Sequence, residues 1–347
     1  MIIHNKFVGG NIFVDRIEGD HVYLRNEQRD TVKDWFYWAF CIEGAEGMEL
    51  TFHFGKRRLG RFGPAVSHDL VSWEWLNQNE DNSFTYRFSE SETKVYFAHH
   101  MLYHPAHFYA FADQNGLSVT EFCKSRKGNP VPCIKMGEGQ YSIILTARHH
   151  ACESAGNYVL EGLTAELARN PIKNTRVLVV PFIDYDGVID GDQGKNRYPH
   201  DYNRDYTDEP IYPELRALID YADKYGCHYG YDFHCPGHSD KYIYMMRCFK
   251  SDKIDRFSAL LCEEHDDSGM SYTPEQDKPA KPYDPDSPHL TFNAHMNYRP
   301  ENVLAFTMEC TYAGLEENKV SQERLRVFGR SFANALRRFV EESIDKE

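Results

Sequence analysis

The sequence predicts an α/β fold: a mixed, largely parallel sheet flanked by helices, preceded by a small N-terminal antiparallel β-sandwich. Two observations predict it. Residues 1–102 contain short aromatic and β-branched segments separated by turns, which is typical of a sandwich. From about residue 103, apolar runs alternate with amphipathic helical patterns, which is typical of a parallel sheet covered by helices. We therefore predict two domains, residues 1–102 and residues 103–347.

The strands of the first domain are predicted from composition. Aromatic and branched residues dominate 34–41 and 48–54, and a turn with two glycines at 43–47 separates them. No cluster of polar groups in this domain indicates chemistry. The chemistry is therefore expected in the second domain.

The second domain is predicted from hydrophobic periodicity. The predicted strands are 141–148, 176–183, a strand ending at 231–233 and a strand over 303–308. The predicted helices are 153–169, 211–224 and 321–341, the last with Ser321 as its N-cap. Residues 273–289 carry five prolines and predict a surface loop that is a candidate lid.

Charge and composition narrow the class of protein. The 347 residues include 39 Lys and Arg against 53 Asp and Glu, a net charge of −14, which argues against general nucleic-acid binding. No run of about 18 apolar residues occurs, so no membrane-spanning helix is predicted. The N-terminus lacks the pattern of a signal peptide, and the nine cysteines form no Cys-x-x-Cys pair. We therefore expect a cytoplasmic protein with reduced thiols.

Four short motifs carry residues suited to chemistry. His150 and Glu153 form a His-x-x-Glu pair directly after a predicted strand, and both side chains are good zinc ligands. His234 ends another strand, and a charged Glu309 ends a third, apolar one. Residues 201–204, Asp-Tyr-Asn-Arg, offer an amide and a guanidinium for an anionic group. Together they predict a catalytic zinc site with a nearby general base and an anion pocket.

Each motif also has an ordinary structural interpretation. His150 and Glu153 could be a surface pair, and His234 could be a satisfied core histidine. Glu309 could be an exposed residue at a strand end, and the arginines could belong to a solvated basic loop. The convergence of the motifs in space distinguishes the two interpretations.

The order of these motifs resembles the zinc metallocarboxypeptidase family. The resemblance is carried by the segments 147–153 (ARHHACE), 201–204 (DYNR), 232–234 (DFH) and 307–309 (TME), with 181–188 (PFIDYDGV) as a further likeness. Residues 34–37 and the stretches 95–98 and 103–105 resemble the β domain of the cytosolic carboxypeptidase subgroup. Ala151 and Cys152 depart from the Pro-Gly that is common between the first two ligands. The resemblance spans nearly the whole chain.

The resemblance implies a role for each matched residue. It implies that His150, Glu153 and His234 hold one Zn²⁺ and that Asp201 accepts a hydrogen bond from a ligand imidazole. It implies that Asn203 and Arg204 bind the terminal carboxylate of the substrate, and that Glu309 is the general base and later the proton donor. Arg197 is the predicted cation that polarises the scissile carbonyl, with Lys195 as the alternative. His149 is the alternative to His150 as ligand, and the substrate-capping tyrosine is one of Tyr272, Tyr283 and Tyr298.

The resulting functional hypothesis is a metallocarboxypeptidase that removes C-terminal residues from peptides or proteins. Likeness to the cytosolic subgroup suggests acidic residues (Glu or Asp) as substrates, for which Lys241, Arg247 and Lys250 could supply positive charge or form an ordinary solvated face. Two alternatives stay open: a zinc deacylase of N-acyl amino acids, and a catalytically dead binding protein on the same scaffold. The β domain is expected to pack on the catalytic domain and shape the substrate entrance.

Overall fold

The computed structural model describes residues 1–80, 82–247, 251–264, 269–270, 272–279 and 290–344. Its first hundred residues form nine strands: β1 (Ile2–His4), β2 (Phe13–Glu18), β3 (His21–Arg25), β4 (Ala39–Glu43), β5 (Glu49–Phe54), β6 (Ala65–Ser67), β7 (Glu74–Trp75), β8 (Ser83–Arg87) and β9 (Lys94–Ala98). They build a five-stranded sheet, β1-β4-β9-β6-β7, and a four-stranded sheet, β2-β3-β5-β8. The pairs are antiparallel except β3 with β5.

The two sheets enclose an aromatic core, which confirms the predicted sandwich. Phe40 and Phe97 on one sheet contact Phe52 and Phe84 on the other, with ring centroids 5.4–5.6 Å apart across the interface. The strand predicted over 34–41 begins only at Ala39. The residues before it are instead drawn into contacts with the second domain, as described below.

The rest of the chain forms a mixed sheet covered by helices, as predicted. The strands are β10 (Val119–Lys124), β11 (Pro130–Met136), β12 (Tyr141–Ala147), β13 (Thr175–Val180), β14 (Tyr229–His234), β15 (Tyr244–Arg247), β16 (Lys278–Pro279) and β17 (Leu304–Glu309). The helices are α1 (Pro105–Gln114), α2 (Ala155–Arg169), α3 (Tyr185–Asp190), α4 (Pro213–Tyr225), α5 (Asp252–Glu263), α6 (Phe292–Asn297) and α7 (Gln322–Ile344). Short 3-10 turns occur at Tyr202–Arg204 and Pro274–Gln276.

The strand order is β10-β11-β13-β12-β14-β17-β15-β16, and its centre is parallel. β13, β12, β14 and β17 run in the same direction. Toward one edge, β11 pairs antiparallel with β13 and β10 antiparallel with β11; toward the other, β15 pairs antiparallel with β17 and parallel with β16. Helices α2 and α7 pack so closely that a Cβ atom at Gly329 of α7 would lie 2.0 Å from the Val159 carbonyl oxygen of α2.

Local chemistry explains most of the element boundaries. The strand predicted over 176–183 stops at Val180, because Pro181 has no N–H to donate to a neighbouring strand. The Ser321 hydroxyl accepts a hydrogen bond from the Arg324 amide, so α7 begins where the N-cap was predicted. Of the proline-rich segment 273–289, residues 273–279 contain a 3-10 turn and β16, and the remainder lies outside the described residues.

No helix in the described part of the chain is long and apolar enough to cross a membrane. The eight cysteines within the described ranges are free thiols.

Candidate metal centre

The carboxyl ends of three adjacent parallel strands meet at one edge of the central sheet. β12 pairs with β14, and β14 pairs with β17, so that His234 lies directly opposite Glu309. The turn after β12 begins with Arg148, which adopts a positive φ of 65°, and carries the chain back over the strand ends. This topology brings the three predicted strand-end motifs to one place, as expected for the ligand-binding edge of a parallel sheet.

His150, Glu153 and His234 converge on one point. The Nδ1 atom of His150 lies 3.1 Å from Glu153 Oε1, and the Nδ1 atom of His234 lies 2.7 Å from Glu153 Oε2. The two Nδ1 atoms are 3.0 Å apart, and all three side chains are buried. Each residue therefore presents a ligand atom within 4.8 Å of the others. We call these three residues the triad.

The outer nitrogens of both imidazoles face carboxylates. His234 Nε2 lies 2.5 Å from Asp232 Oδ2, and His150 Nε2 lies 3.6 Å from Asp201 Oδ1. The Asp232 carboxylate favours the imidazole hydrogen on Nε2 of His234, which turns the Nδ1 lone pair toward Glu153, and Asp201 is placed to favour the same arrangement in His150. Three converging electron-pair donors need a cation between them, and two imidazoles with one carboxylate match the ligand set of catalytic zinc.

The charge environment of the triad favours a cation. Burial alone would lower the pKa of His234, but the carboxylates of Asp232 and Glu153 outweigh it and raise that pKa to about 10. Burial likewise opposes ionisation of Glu153, yet His150, Lys195 and His234 hold its pKa well below the usual range. The site thus stabilises positive charge beside a permanently ionised carboxylate, which is the electrostatic setting for a divalent ion.

His149 takes part in a second buried network behind the triad. Its Nδ1 lies 2.8 Å from Asp232 Oδ1, and its Nε2 lies 2.7 Å from the Tyr206 hydroxyl. The Thr146 hydroxyl donates to the same Asp232 oxygen at 2.8 Å. His149, Asp232 and His234 are therefore also close enough to be a possible metal group. The structure places His150, rather than His149, against Glu153.

Glu309 and Lys195 flank the triad. Burial and the nearby Glu153 raise the pKa of Glu309, despite the opposing effect of His234 and Lys195. Its Oε2 atom is shielded from solvent and has no hydrogen-bond partner within the described ranges. Lys195 Nζ lies 2.9 Å from Glu153 Oε1, and its ammonium is 5.4 Å from the centre of the Trp35 ring. A carboxyl group with a raised pKa beside a cation is suited to proton transfer.

Arg197, the predicted carbonyl-polarising cation, is occupied by three carboxylates. Its guanidinium contacts Asp30 at 3.1 Å, Asp184 at 2.8 Å and Asp192 at 2.7 Å. Each of the three guanidinium nitrogens thus has its own acidic partner. Lys195, the alternative considered from the sequence, is the cation that the structure places at the triad.

Residues 201–204 lie beside the third triad member. The Asn203 amide nitrogen is 3.2 Å from His234 Nε2, and its oxygen accepts a hydrogen bond from the Phe292 amide. Arg204 is exposed and donates to the Asn203 carbonyl at 2.6 Å. Burial alone would raise the pKa of Asp201, but the nearby His150 and Arg204 and the hydrogen bond from the Asn196 amide lower it. The segment thus places the Asn203 amide beside the triad, with the exposed guanidinium of Arg204 on the same 3-10 turn.

The remaining sequence candidates are less tightly tied to the triad. Tyr272 is buried and donates to Asp277, whereas Tyr298 is 45% exposed. Arg247 contacts Asp277 and Asp255, and Lys241 is exposed. Tyr283 and Lys250 lie outside the described residues. The choice of capping tyrosine and the acidic preference stay predictions.

Sequence reasoning assigned no role to Asp232, the carboxylate that connects the two buried networks. The signal was present in the Asp-Phe-His spacing on a strand, because residues i and i+2 point to the same face. The structure shows the result: Asp232 and His234 lie side by side with their polar groups 2.5 Å apart. The contact of His149 with Asp232 could not be predicted from the sequence either, since the two residues meet only in the folded chain.

Known proteins share this architecture. No protein-family model matches the chain. An uncharacterised protein of Zymomonas mobilis is 28% identical over 255 residues, covering 67% of each chain. The metallo-carboxypeptidase of Burkholderia cenocepacia superposes with a TM-score of 0.80 at 18% identity over 99% of both chains. That of Pseudomonas aeruginosa, solved in complex with (2-guanidinoethylmercapto)succinic acid, gives 0.80 at 19% identity over 99% of this chain and 100% of that one.

These similarities define the class of fold. Over nearly its whole length, including the β-sandwich, the chain has the fold of the metallo-carboxypeptidases. At the sheet edge where this fold carries its strand-end turns, the chain holds a candidate metal-binding triad. Because one fold hosts several activities, the chemistry has to be argued from the site itself.

Proposed function

We propose that this protein is a zinc-dependent metallocarboxypeptidase that hydrolyses the C-terminal peptide bond of peptides or proteins. The observation that carries the proposal is the convergence of His150 Nδ1, Glu153 and His234 Nδ1, with Glu309 directly opposite His234. Zinc held by the triad would supply Lewis acidity toward the scissile carbonyl. The chemistry of the donor set, two imidazoles and one carboxylate, supports zinc as the metal.

The other residues supply the remaining parts of a hydrolytic site. Glu309 takes the proton of the attacking water and returns it to the leaving amine, a role that its raised pKa supports. The Lys195 ammonium, next to Glu153, stabilises negative charge that develops on the carbonyl oxygen. We assign this role to Lys195 in preference to Arg197, whose guanidinium is already neutralised by three aspartates.

Recognition of a free C-terminus is assigned to Asn203 and Arg204. The exposed guanidinium of Arg204 is suited to bind a carboxylate through two parallel hydrogen bonds, whereas a C-terminal amide has only one acceptor oxygen. The Pseudomonas aeruginosa metallo-carboxypeptidase, which shares the fold, was solved with a succinic acid derivative. A ligand with carboxylates is the kind of molecule that this pocket is proposed to select. Preference for acidic side chains follows only from the sequence resemblance.

A peptide library tests the proposal. Zinc-loaded protein is incubated with peptides that have free C-termini, the same peptides with C-terminal amides, and a panel of N-acyl amino acids, and the products are identified by mass spectrometry. The proposal predicts stepwise loss of C-terminal residues from the free peptides alone, and a rate lower by roughly 10²–10⁴-fold with the Glu309→Gln variant. Cleavage of the N-acyl amino acids alone would favour the deacylase alternative, and no metal and no hydrolysis would favour a binding protein.

A further inference from the structure

Lys195 sits on a loop that is held from both sides. Residues 192–197 connect α3 to the 3-10 turn at Tyr202–Arg204. On one side the loop packs against the backbone between His150 and Glu153. Gly194 has a φ of 77°, and a Cβ atom there would lie 2.1 Å from the Ala151 amide nitrogen. The Cys152 amide also donates to the Gln193 carbonyl at 3.4 Å. Movement of this loop therefore moves Lys195 relative to the metal ligands.

The other side of the loop is held by the β-sandwich domain. The Asp30 carboxylate accepts hydrogen bonds from the consecutive amides of Gln193 at 3.0 Å and Gly194 at 2.8 Å. The same carboxylate accepts from Arg197 Nε at 3.1 Å. Asp30 is only 9% exposed in its side chain. One carboxylate of the first domain thus binds two consecutive backbone amides before Lys195 and the side chain of Arg197 after it.

Further contacts from the same domain reinforce this hold. The Gln193 side chain donates to the Tyr37 carbonyl at 2.9 Å and accepts from the Tyr37 amide at 2.9 Å. The Val32 amide donates to the Asn196 carbonyl at 3.0 Å. These contacts explain why no strand forms just before β4, where one was predicted: Asp30, Val32 and Tyr37 bind the 192–197 loop instead. The Trp35 ring lies beside the Lys195 ammonium.

We infer that the β-sandwich domain is a working part of the catalytic site: Asp30 is a positioning residue that holds the 192–197 loop so that Lys195 faces Glu153. The inference rests on the proposed function, which makes Lys195 the cation of the reaction. Its physical basis is that a lysine has a long flexible side chain, and its ammonium is held in one place only if its backbone is fixed. Asp30, through two amides and Arg197, provides that fixation.

A double-mutant cycle tests the inference. Hydrolysis of one peptide is measured for the wild type, Asp30→Ala, Lys195→Ala and the double variant, each with its zinc content determined. Lys195→Ala is expected to lower kcat roughly 100-fold, the usual cost of losing one preorganised charge, and Asp30→Ala roughly 10-fold. If Asp30 acts through Lys195, the double variant is no slower than Lys195→Ala. An equal further loss caused by Asp30→Ala in the Lys195→Ala background would overturn the inference.

Chemical labelling provides a readout that needs no activity. Lysine acetylation by an N-hydroxysuccinimide ester is followed by mass spectrometry, with Lys124, which is 58% exposed, as the internal reference. Lys195, whose side chain is 21% exposed, should react several-fold faster in Asp30→Ala than in the wild type. The control Asp15→Ala removes an aspartate that pairs with Arg25 on the exposed face of the sandwich, and it should leave Lys195 slow. Equal labelling of Lys195 in the wild type and Asp30→Ala would contradict the inference.

The two readouts separate failure of this inference from failure of the proposed function. If the wild type hydrolyses no peptide, the proposed function fails, and labelling still decides whether Asp30 places Lys195. If Asp30→Ala does not fold, Asp30→Asn serves as the milder variant: it keeps one acceptor oxygen for the loop amides, removes the charge that faces Arg197 and replaces the second acceptor oxygen with an NH2 group. Circular dichroism and the unfolding temperature of each variant establish that it is folded before it is compared.

Discussion

Asp232→Asn removes the carboxylate that joins the triad to the network behind it, and the structure allows its effect to be worked out. In the native protein the Asp232 oxygens lie within hydrogen-bond distance of His234 Nε2, His149 Nδ1 and the Thr146 hydroxyl, at 2.5, 2.8 and 2.8 Å. An asparagine offers one oxygen in place of two and turns an N–H group toward one of these donors. His234 then loses the partner that keeps its hydrogen on Nε2 and its Nδ1 lone pair toward Glu153.

The expected cost is a 10- to 100-fold loss of zinc affinity, the usual range when a carboxylate behind a ligand histidine is removed. This corresponds to about 1.4–2.8 kcal/mol of binding free energy. The assay is competition for zinc against a chromophoric chelator, with Kd measured for both proteins at one pH. The buried location of Asp232, at 0% exposure, means that water cannot replace the lost acceptor.

Asp186→Asn is the matched control. Asp186 is also a buried carboxylate with several hydrogen bonds, from the Ser125 hydroxyl, the Lys127 amide and the Asn129 side chain. It has no contact with the triad among the described residues. Its amide variant should therefore lower the unfolding temperature and leave the zinc Kd unchanged. Equal zinc affinity in the wild type and Asp232→Asn would refute the assignment of Asp232 as the support of a metal ligand.

Three further predictions follow from other parts of the molecule. Glu309→Gln should keep bound zinc and lose roughly 10²–10⁴-fold in kcat, since it removes the proton-transfer group; steady-state kinetics with metal analysis checks this. Arg204→Ala should raise KM for free peptides at least about tenfold and abolish the discrimination against C-terminal amides, as compared by kcat/KM for the two peptides. Glu214→Gln should raise the unfolding temperature at pH 8.5 and change it little at pH 5, as measured by calorimetry.

The sign of the Glu214 effect comes from its buried carboxyl group. Neither oxygen has a hydrogen-bond partner in the described part of the chain, and burial raises the pKa of Glu214 to about 8. The folded state therefore favours the protonated form, so this group's contribution is most favourable below the unfolded pKa of about 4.3 and is lost as the pH rises toward 8. The loss is of the order of a few kcal/mol. A neutral glutamine does not incur this loss.

Specific results would contradict each of these predictions. Near-wild-type turnover by Glu309→Gln would remove Glu309 from the mechanism. An unchanged preference for free C-termini in Arg204→Ala would place carboxylate recognition elsewhere. For Glu214→Gln, a difference in unfolding temperature from the wild type that is the same at pH 5 and pH 8.5 would mean that Glu214 is ionised in the folded state at both values.

The fold was predictable from the sequence because its signals are local. The continuous apolar run at 176–183 and the periodic pattern at 321–341 identify a buried strand and an amphipathic helix, and the structure confirms both with small shifts at their ends. The strand predicted over 34–41 was mostly wrong for a non-local reason. In its first half, the Tyr37 amide and carbonyl both hydrogen-bond to the Gln193 side chain of the 192–197 loop, and the local composition does not reveal a partner so distant in sequence.

The candidate site was predictable only in part. Residue type and strand-end position pointed to His150, Glu153, His234 and Glu309, because charged and imidazole groups that end apolar strands have few structural uses. The distinction between Lys195 and Arg197 was not available, since both are cations in one loop. Their difference arises from which carboxylates of the folded chain reach them: Glu153 in one case, three aspartates in the other.

The central claim is that His150, Glu153 and His234 hold one zinc ion, and X-ray absorption at the zinc edge tests it most directly. The protein is loaded with one equivalent of zinc, and the wild type is compared with His234→Ala. The account predicts nitrogen and oxygen ligands at about 2.0–2.2 Å, including two imidazoles and no sulfur, and loss of this signal in the variant. Sulfur at about 2.3 Å, or an unchanged spectrum in His234→Ala, would contradict it.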